Sequence, residues 1–194
     1  MVVAAWRAAT LAGSDALLVV APRHPPRFEH VVRMIRYRTL TASDLKVGVR
    51  SKNAFTESGQ GEDGLPVEVI VLDTIGDLAA VYRIADVAFV GGSLVSRGGH
   101  NPLEPAQFGV PVVMGSSYEN FRDVVAKMHA VGGIRVVEDD VALGDVLAEL
   151  LTDREAAEAM GERGRRVFDQ EQGATARAVE ALVGLVRRTD EAAP

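Results

Sequence analysis

The segment Gly91-Gly92-Ser93-Leu94-Val95-Ser96-Arg97-Gly98-Gly99-His100-Asn101-Pro102-Leu103-Glu104-Pro105 joins a glycine-rich turn to the residue types that start a helix. Asn101 suits a cap, Pro102 suits the first helical position, and Glu104 falls where a capping-box acid reaches back. The glycines are expected to leave backbone N–H groups uncovered beside the positive end of a helix dipole, which is an arrangement for holding a phosphate or a carboxylate. Capping alone accounts for Glu104. An acid in the first turn of such a cleft could also accept hydrogen bonds from ribose hydroxyls.

Two other short segments have comparable chemistry. In Pro22-Arg23-His24-Pro25, Arg23 could grip a phosphate with its planar fork, where a lysine would act only as a point charge. The plainer reading is a strand-to-helix loop in which Pro25 starts the helix. In Asp73-Thr74-Ile75-Gly76-Asp77-Leu78, Gly76 lets a ligand approach the backbone at a helix start. Capping by Thr74 explains much of this segment without a ligand. No one segment decides the matter, but their order on successive strand ends points to a shared anionic ligand.

The elements that must carry these segments alternate along the chain. Leu17 to Ala21 reads as a strand, and Phe28, Val31, Val32 and Ile35 then fall at i, i+3, i+4 and i+7, one face of a helix. Further strands are expected at Val47 to Arg50, Val67 to Leu72, Val87 to Val90, Pro111 to Met114 and Ile134 to Val137, with helices after each of the last four. Asn53 to Pro66, with Gly59, Gly61 and Gly64 among polar residues, reads as a loop. Near-continuous apolar strands alternating with helices predict an α/β, Rossmann-like parallel sheet with helices on both faces. In such sheets ligands gather beyond the carboxyl ends of the strands, where all three segments fall. The tail is helical: Leu147, Leu150 and Leu151 end one helix, Asp153 to Phe168 is charged and helix-prone, and Val179, Leu182, Val183 and Val186 form a second apolar stripe.

Composition narrows the classes. The chain has 194 residues, 47% of them apolar, enough to bury one sizeable core or two small lobes, and one compact domain is the default expectation. It has no cysteine and only four histidines, which lack zinc-type spacing, so no metal site is expected and a reducing cytoplasm is compatible. No apolar run approaches the length of a transmembrane span, and the N-terminus lacks the order of a signal peptide. The net charge of −6 is unevenly spread: residues 1 to 52 carry nine Lys/Arg against three Asp/Glu. Arg23, Arg27, Arg33, Arg36 and Arg38 crowd one region that could draw in an anionic donor or an acidic lipid, or could simply be a solvated helix face. A nucleic-acid partner is not expected, because the chain as a whole is acidic and no aromatic residues interleave with the basic ones.

Taken together, Ala21-Pro22-Arg23-His24-Pro25, Asp73 to Leu78, Phe89 to Ser93 and Gly98 to Pro105 resemble the 3-deoxy-D-manno-octulosonic acid (Kdo) transferases. The likeness continues through Gly109-Val110-Pro111-Val112 and Asn120-Phe121-Arg122. It implies the C-terminal, donor-binding half of a GT-B glycosyltransferase, which moves Kdo from CMP-Kdo to a lipid A precursor in lipopolysaccharide synthesis. By that resemblance Pro22, Arg23, Ile75, Gly76, Asp77, Asn101, Pro102, Leu103 and Glu104 match positions that contact the CMP moiety. No cofactor is implied, and the catalytic base is expected on an acceptor domain outside residues 1–194. The complete enzyme would work in the cytoplasm at the inner face of the bacterial inner membrane. An isolated cytidine-nucleotide module, or a GT-B glycosyltransferase or epimerase using a UDP-sugar, are the alternatives.

The family's donor domain opens with a strand and a Ser-Thr-His and Gly-Glu-Glu loop that are not found here. Met1 to Ala12 instead resembles the helix after that strand. The expectation is therefore an N-terminally incomplete domain over 1–194, lacking its first strand and its acceptor domain. The strands flanking the gap would then either close up or leave unpaired backbone groups.

Overall fold

The computed structural model describes the backbone of residues 1–40, 47–52 and 67–191, and their side chains other than those of 37–40, 52 and 174–191. The expected loop over 53–66 and the side chains of the stripe from Val179 to Val186 lie outside the described residues. The chain divides into two compact units, one formed by Met1–Ala85 with Val137–Arg154 and the other by Asp86–Val136 with Glu155–Pro194.

The first unit contains helix α1 (Val2–Leu11), strand β1 (Leu18–Val20), helix α2 (Phe28–Leu40), strands β2 (Val47–Val49) and β3 (Val69–Val71), helix α3 (Leu78–Tyr82) and helix α6 (Asp140–Thr152). Its strands form a parallel sheet in the order β1-β3-β2. Central β3 is the strand buried by its neighbours, with Val69 and Val71 at 0% exposure. Against them pack Trp6 of α1 and Val31 and Ile35 of α2, as the spacing of the α2 stripe requires. The Trp6 indole Nε1 donates to the Ala16 carbonyl at 2.7 Å, so its polar atom is satisfied within the apolar cluster. Asp139 caps α6, its carboxylate accepting from the amides of Val141 and Ala142.

The second unit is built on β4 (Ala88–Val90), β5 (Val112–Gly115) and β6 (Ile134–Val137), which lie side by side in that order. Helices α4 (Leu103–Ala106), α5 (Arg122–Ala130) and the long α7 (Arg154–Glu191) accompany them. Val90, Val112, Met114, Val125, Met128, Ile134 and Val167 make its core. All four residues of β5 are buried, which is why Pro111 to Met114 reads as a continuous apolar run.

The structure corrects two expectations of the fold, the first being that the chain forms two compact units where one compact domain was the default. The strands form two three-stranded sheets rather than one continuous sheet, and β1 and β4 each lie at a sheet edge among the described residues. In the ladder the Leu18 amide donates to the Glu68 carbonyl and the Val20 carbonyl accepts from the Leu72 amide, both toward β3. Residues alternate in direction along a parallel strand, so the peptide groups of Val19 face the open edge.

Candidate functional site

Each of the three segments singled out by the sequence follows a strand of the parallel sheets. In the first unit, β1 and β2 flank β3 with Val20 and Val49 both in register with Val71, so the chain leaves all three strands at one end. That end gathers Pro22 and Arg23 after β1, Asp73 to Asp77 after β3, and Arg50 and Ser51 after β2. Arg23 and His24 are exposed. His24 is extended (φ −113°, ψ 119°), as a residue before proline should be, and Pro25–Arg27 form a short 3-10 turn before α2 begins at Phe28.

The Asp73–Asp77 turn is held from two sides. Asp73 accepts from the Ser51 amide at 2.8 Å and from the Ser51 hydroxyl. Asp77 accepts from the Thr74 hydroxyl at 2.7 Å and lies 3.6 Å from Arg50 Nε. Thr74 therefore does not cap: α3 follows Asp77 with no side-chain cap, and the Thr74 hydroxyl is spent on a carboxylate instead. Between these braces Ile75 stands 83% exposed and Gly76 adopts φ +97°. An exposed, branched apolar side chain at the tip of a braced turn is suited to contact a flat ligand surface.

In the second unit the glycine-rich segment follows β4 and lies beside the end of β5. Ser93 is fully buried; its hydroxyl donates to the Val90 carbonyl at 2.5 Å and accepts from the Gly115 amide at 2.8 Å. The loop then closes on itself, with the Gly99 amide donating to the Gly92 carbonyl and the His100 amide to the Gly91 carbonyl. The amides of Arg97 and Gly98 donate to Ser117 Oγ at 3.2 and 3.0 Å, and that of Leu103 donates to Asn101 Oδ1 at 3.0 Å. The expectation of uncovered amides is thus overturned for these residues: the loop uses them to hold its own shape. The helix behind them, α4, spans only Leu103–Ala106, too short for a substantial dipole.

The helix start also differs in detail from the sequence reading. Asn101 does cap, but across Pro102 to the Leu103 amide, and Pro102 precedes the helix rather than opening it. Glu104 is exposed, and its carboxylate has no hydrogen-bond or ion-pair partner among the described residues. It is not a capping-box member, so its carboxylate is available to a ligand. Pro102 and Pro105 are fully buried and Leu103 packs on the core, which orients Asn101 and Glu104 from beneath.

Four residues important to these loops were not singled out as site residues from sequence: Arg50, Ser51, Ser117 and Glu119. The Ser117 hydroxyl donates to Glu119 Oε2 at 2.8 Å. The Glu119 carboxyl is held below its ordinary value first by its own backbone amide, then by the Ser117 hydroxyl, with the Arg122 guanidinium adding to the effect. Among the described residues no group of three or more His, Asp or Glu is placed to hold a metal, and no helix is long and apolar enough to cross a membrane.

The sequence profile of the glycosyl transferases, group 1, matches residues 50–167, which include the Asp73–Asp77 turn, the glycine-rich loop and Ser117. The chain belongs to the glycosyl transferases, group 1. It is 34% identical over 178 residues to 3-deoxy-D-manno-octulosonic acid transferase of Haemophilus influenzae, covering 90% of this chain and 38% of that protein. The enzyme of the same name from Bordetella pertussis is also 34% identical over 178 residues, covering 92% of this chain and 38% of that protein. This glycosyl transferase chain thus spans little more than a third of the curated relatives it matches. The crystal structure of the C-terminal CMP-Kdo binding domain of WaaA from Acinetobacter baumannii aligns with a TM-score of 0.72 at 29% identity, covering 86% of this chain and 80% of that one. The fold is accordingly the α/β, Rossmann-like C-terminal half of a GT-B glycosyltransferase.

Proposed function

We propose that this chain is the donor-binding part of an inverting glycosyltransferase that moves Kdo from CMP-Kdo to a lipid A precursor. The likeness to a CMP-Kdo binding domain carries the reading. On it, residues 1–194 hold the donor, an acceptor domain supplies the base that activates the sugar hydroxyl, and the complete enzyme works at the cytoplasmic face of the inner membrane. No cofactor is required by this scheme.

Pro22, Arg23, Ile75, Gly76, Asp77, Asn101, Leu103 and Glu104 contact the CMP moiety, and Pro102 of the expected set, being fully buried, supports Asn101 and Glu104 from beneath instead. Because the amides of Arg97 to His100 are engaged within the loop, the countercharge for the departing phosphate comes from the exposed Arg23 guanidinium rather than from a nest of glycine amides. Glu104, whose carboxylate has no partner among the described residues, accepts from the ribose hydroxyls. Ile75 lies against the nucleotide, supported from behind by the Asp77 and Asp73 contacts.

Titration calorimetry with CMP tests this assignment. Arg23→Ala and Glu104→Ala should each weaken binding by roughly 1.5–3 kcal/mol, the usual size of a charged hydrogen bond. Unchanged affinity in both variants would remove the site assignment, and tighter binding of UDP than CMP would favour a UDP-sugar enzyme. The chain alone should transfer no Kdo, and measurable turnover by it would refute a base on another domain.

A further inference from the structure

The dipeptide Arg97-Gly98 has four backbone polar groups, and the loop after β5 takes all of them. The two amides donate to Ser117 Oγ, the Arg97 carbonyl accepts from Asn120 Nδ2 at 3.4 Å, and the Gly98 carbonyl accepts from the Asn120 amide at 3.2 Å. The Arg97 amide also reaches the Val95 carbonyl at 2.6 Å, so the Gly98 amide is the one whose bond is to Ser117 alone.

A serine hydroxyl has one proton to donate and two lone pairs to accept with. Here the proton goes to Glu119 Oε2, which leaves both lone pairs for the two amides. A carboxylate acceptor also draws the proton away from Oγ and makes it a stronger acceptor. The fit is steric as well: a Cβ at Gly98 would lie 2.4 Å from Asn120 Nδ2, and one at Gly99 would lie 2.6 Å from Met114 Cε. The chain from 97 to 99 is therefore seated on residues 114–120, and Asn101 to Glu104 follow within a few residues.

We propose that Ser117 is a positioning residue for the donor site: its hydroxyl, oriented by Glu119, clamps the glycine turn and so fixes where Asn101 and Glu104 are presented. The proposal rests on the donor-binding reading above. The hydrogen bonds of the Ser117 hydroxyl run to Arg97, Gly98 and Glu119, all loop residues outside the apolar core, so the clamp is expected to govern the loop rather than the stability of the unit as a whole.

The test is Ser117→Ala and Ser117→Thr in the full chain, read by CMP titration, thermal melting and amide exchange at Gly98. Ser117→Ala should weaken CMP binding by roughly tenfold, about the loss of one hydrogen-bonding partner, and speed exchange at Gly98 while the melting midpoint moves little. Ser117→Thr, which keeps the hydroxyl, should restore both affinity and protection. Wild-type affinity in Ser117→Ala, or a loss that threonine does not repair, would overturn the proposal. If the wild-type chain fails to bind CMP, the donor reading falls, yet the exchange arm stands on its own: unchanged protection of Gly98 in Ser117→Ala still refutes the clamp. Should Ser117→Ala not fold, Asn120→Ala removes the bond to the Arg97 carbonyl. Lower CMP affinity with an unshifted melt supports the clamp, and unaltered affinity contradicts it.

Discussion

Substituting alanine at Gly115 adds a single methyl group, and the structure indicates that it has nowhere to go. The new Cβ would lie 2.3 Å from the Ser93 carbonyl oxygen, 2.4 Å from the Ser93 carbonyl carbon and 2.6 Å from the Leu94 nitrogen. These are backbone atoms, so no rotamer change relieves the clash, and the loop after β4 must move away from the end of β5. That displacement breaks the bond from the Gly115 amide to the buried Ser93 hydroxyl and strains the bond from the Ser117 amide to the Ser93 carbonyl. Overpacking costs about 1–3 kcal/mol and a buried polar group left unpaired about 1–3 more, so Gly115→Ala should destabilise by about 2–6 kcal/mol. The atoms nearest the same methyl at Gly98 belong to the end of the Asn120 side chain, which can swing aside. Its main cost is the left-handed backbone at φ +75°. That cost is about 1–2 kcal/mol. Urea unfolding followed by circular dichroism should therefore rank Gly115→Ala well below Gly98→Ala in stability. Equal losses, or a loss under about 1 kcal/mol for Gly115→Ala, would refute the packing argument.

Two further outcomes are expected. The depressed Glu119 carboxyl contributes its stabilisation above the ordinary carboxylate value of 4.5, and that contribution is lost as pH falls through the lower folded value. Protection of the Gly98 amide should accordingly weaken as the solution is acidified below that range, and Glu119→Gln should flatten this dependence when followed by NMR. Arg50→Ala and Ser51→Ala both loosen the Asp73–Asp77 turn, but the Arg50–Asp77 pair is half exposed, at 47% and 42%. Its removal should change stability by less than about 1 kcal/mol. Ser51→Ala removes one of the two Ser51 contacts to Asp73 and should lower CMP affinity more than Arg50→Ala does in the same titration.

Much of the scaffold was legible because it depends on local patterns. Val31, Val32 and Ile35 of the expected stripe became the inner face of α2, and the run Ile134 to Val137 became β6 with the expected bounds. The three segments were found at strand ends because apolar runs mark where strands stop. The grouping of strands into two sheets was not legible, since pairing depends on partners far along the chain.

Residue types and their spacing along Gly91–Pro105 were enough to place Asn101 as a cap. They could not show where the segment's amides would go, because the acceptor for Arg97 and Gly98 is Ser117, 20 and 19 residues away. Nor could they show that Asp77 is shared between Thr74 and Arg50. Periodicity reports which face of an element is buried, a property of neighbours in the chain. A hydroxyl's choice among distant amides is settled only when strand register brings β5 beside β4, and that register exists only in the folded protein.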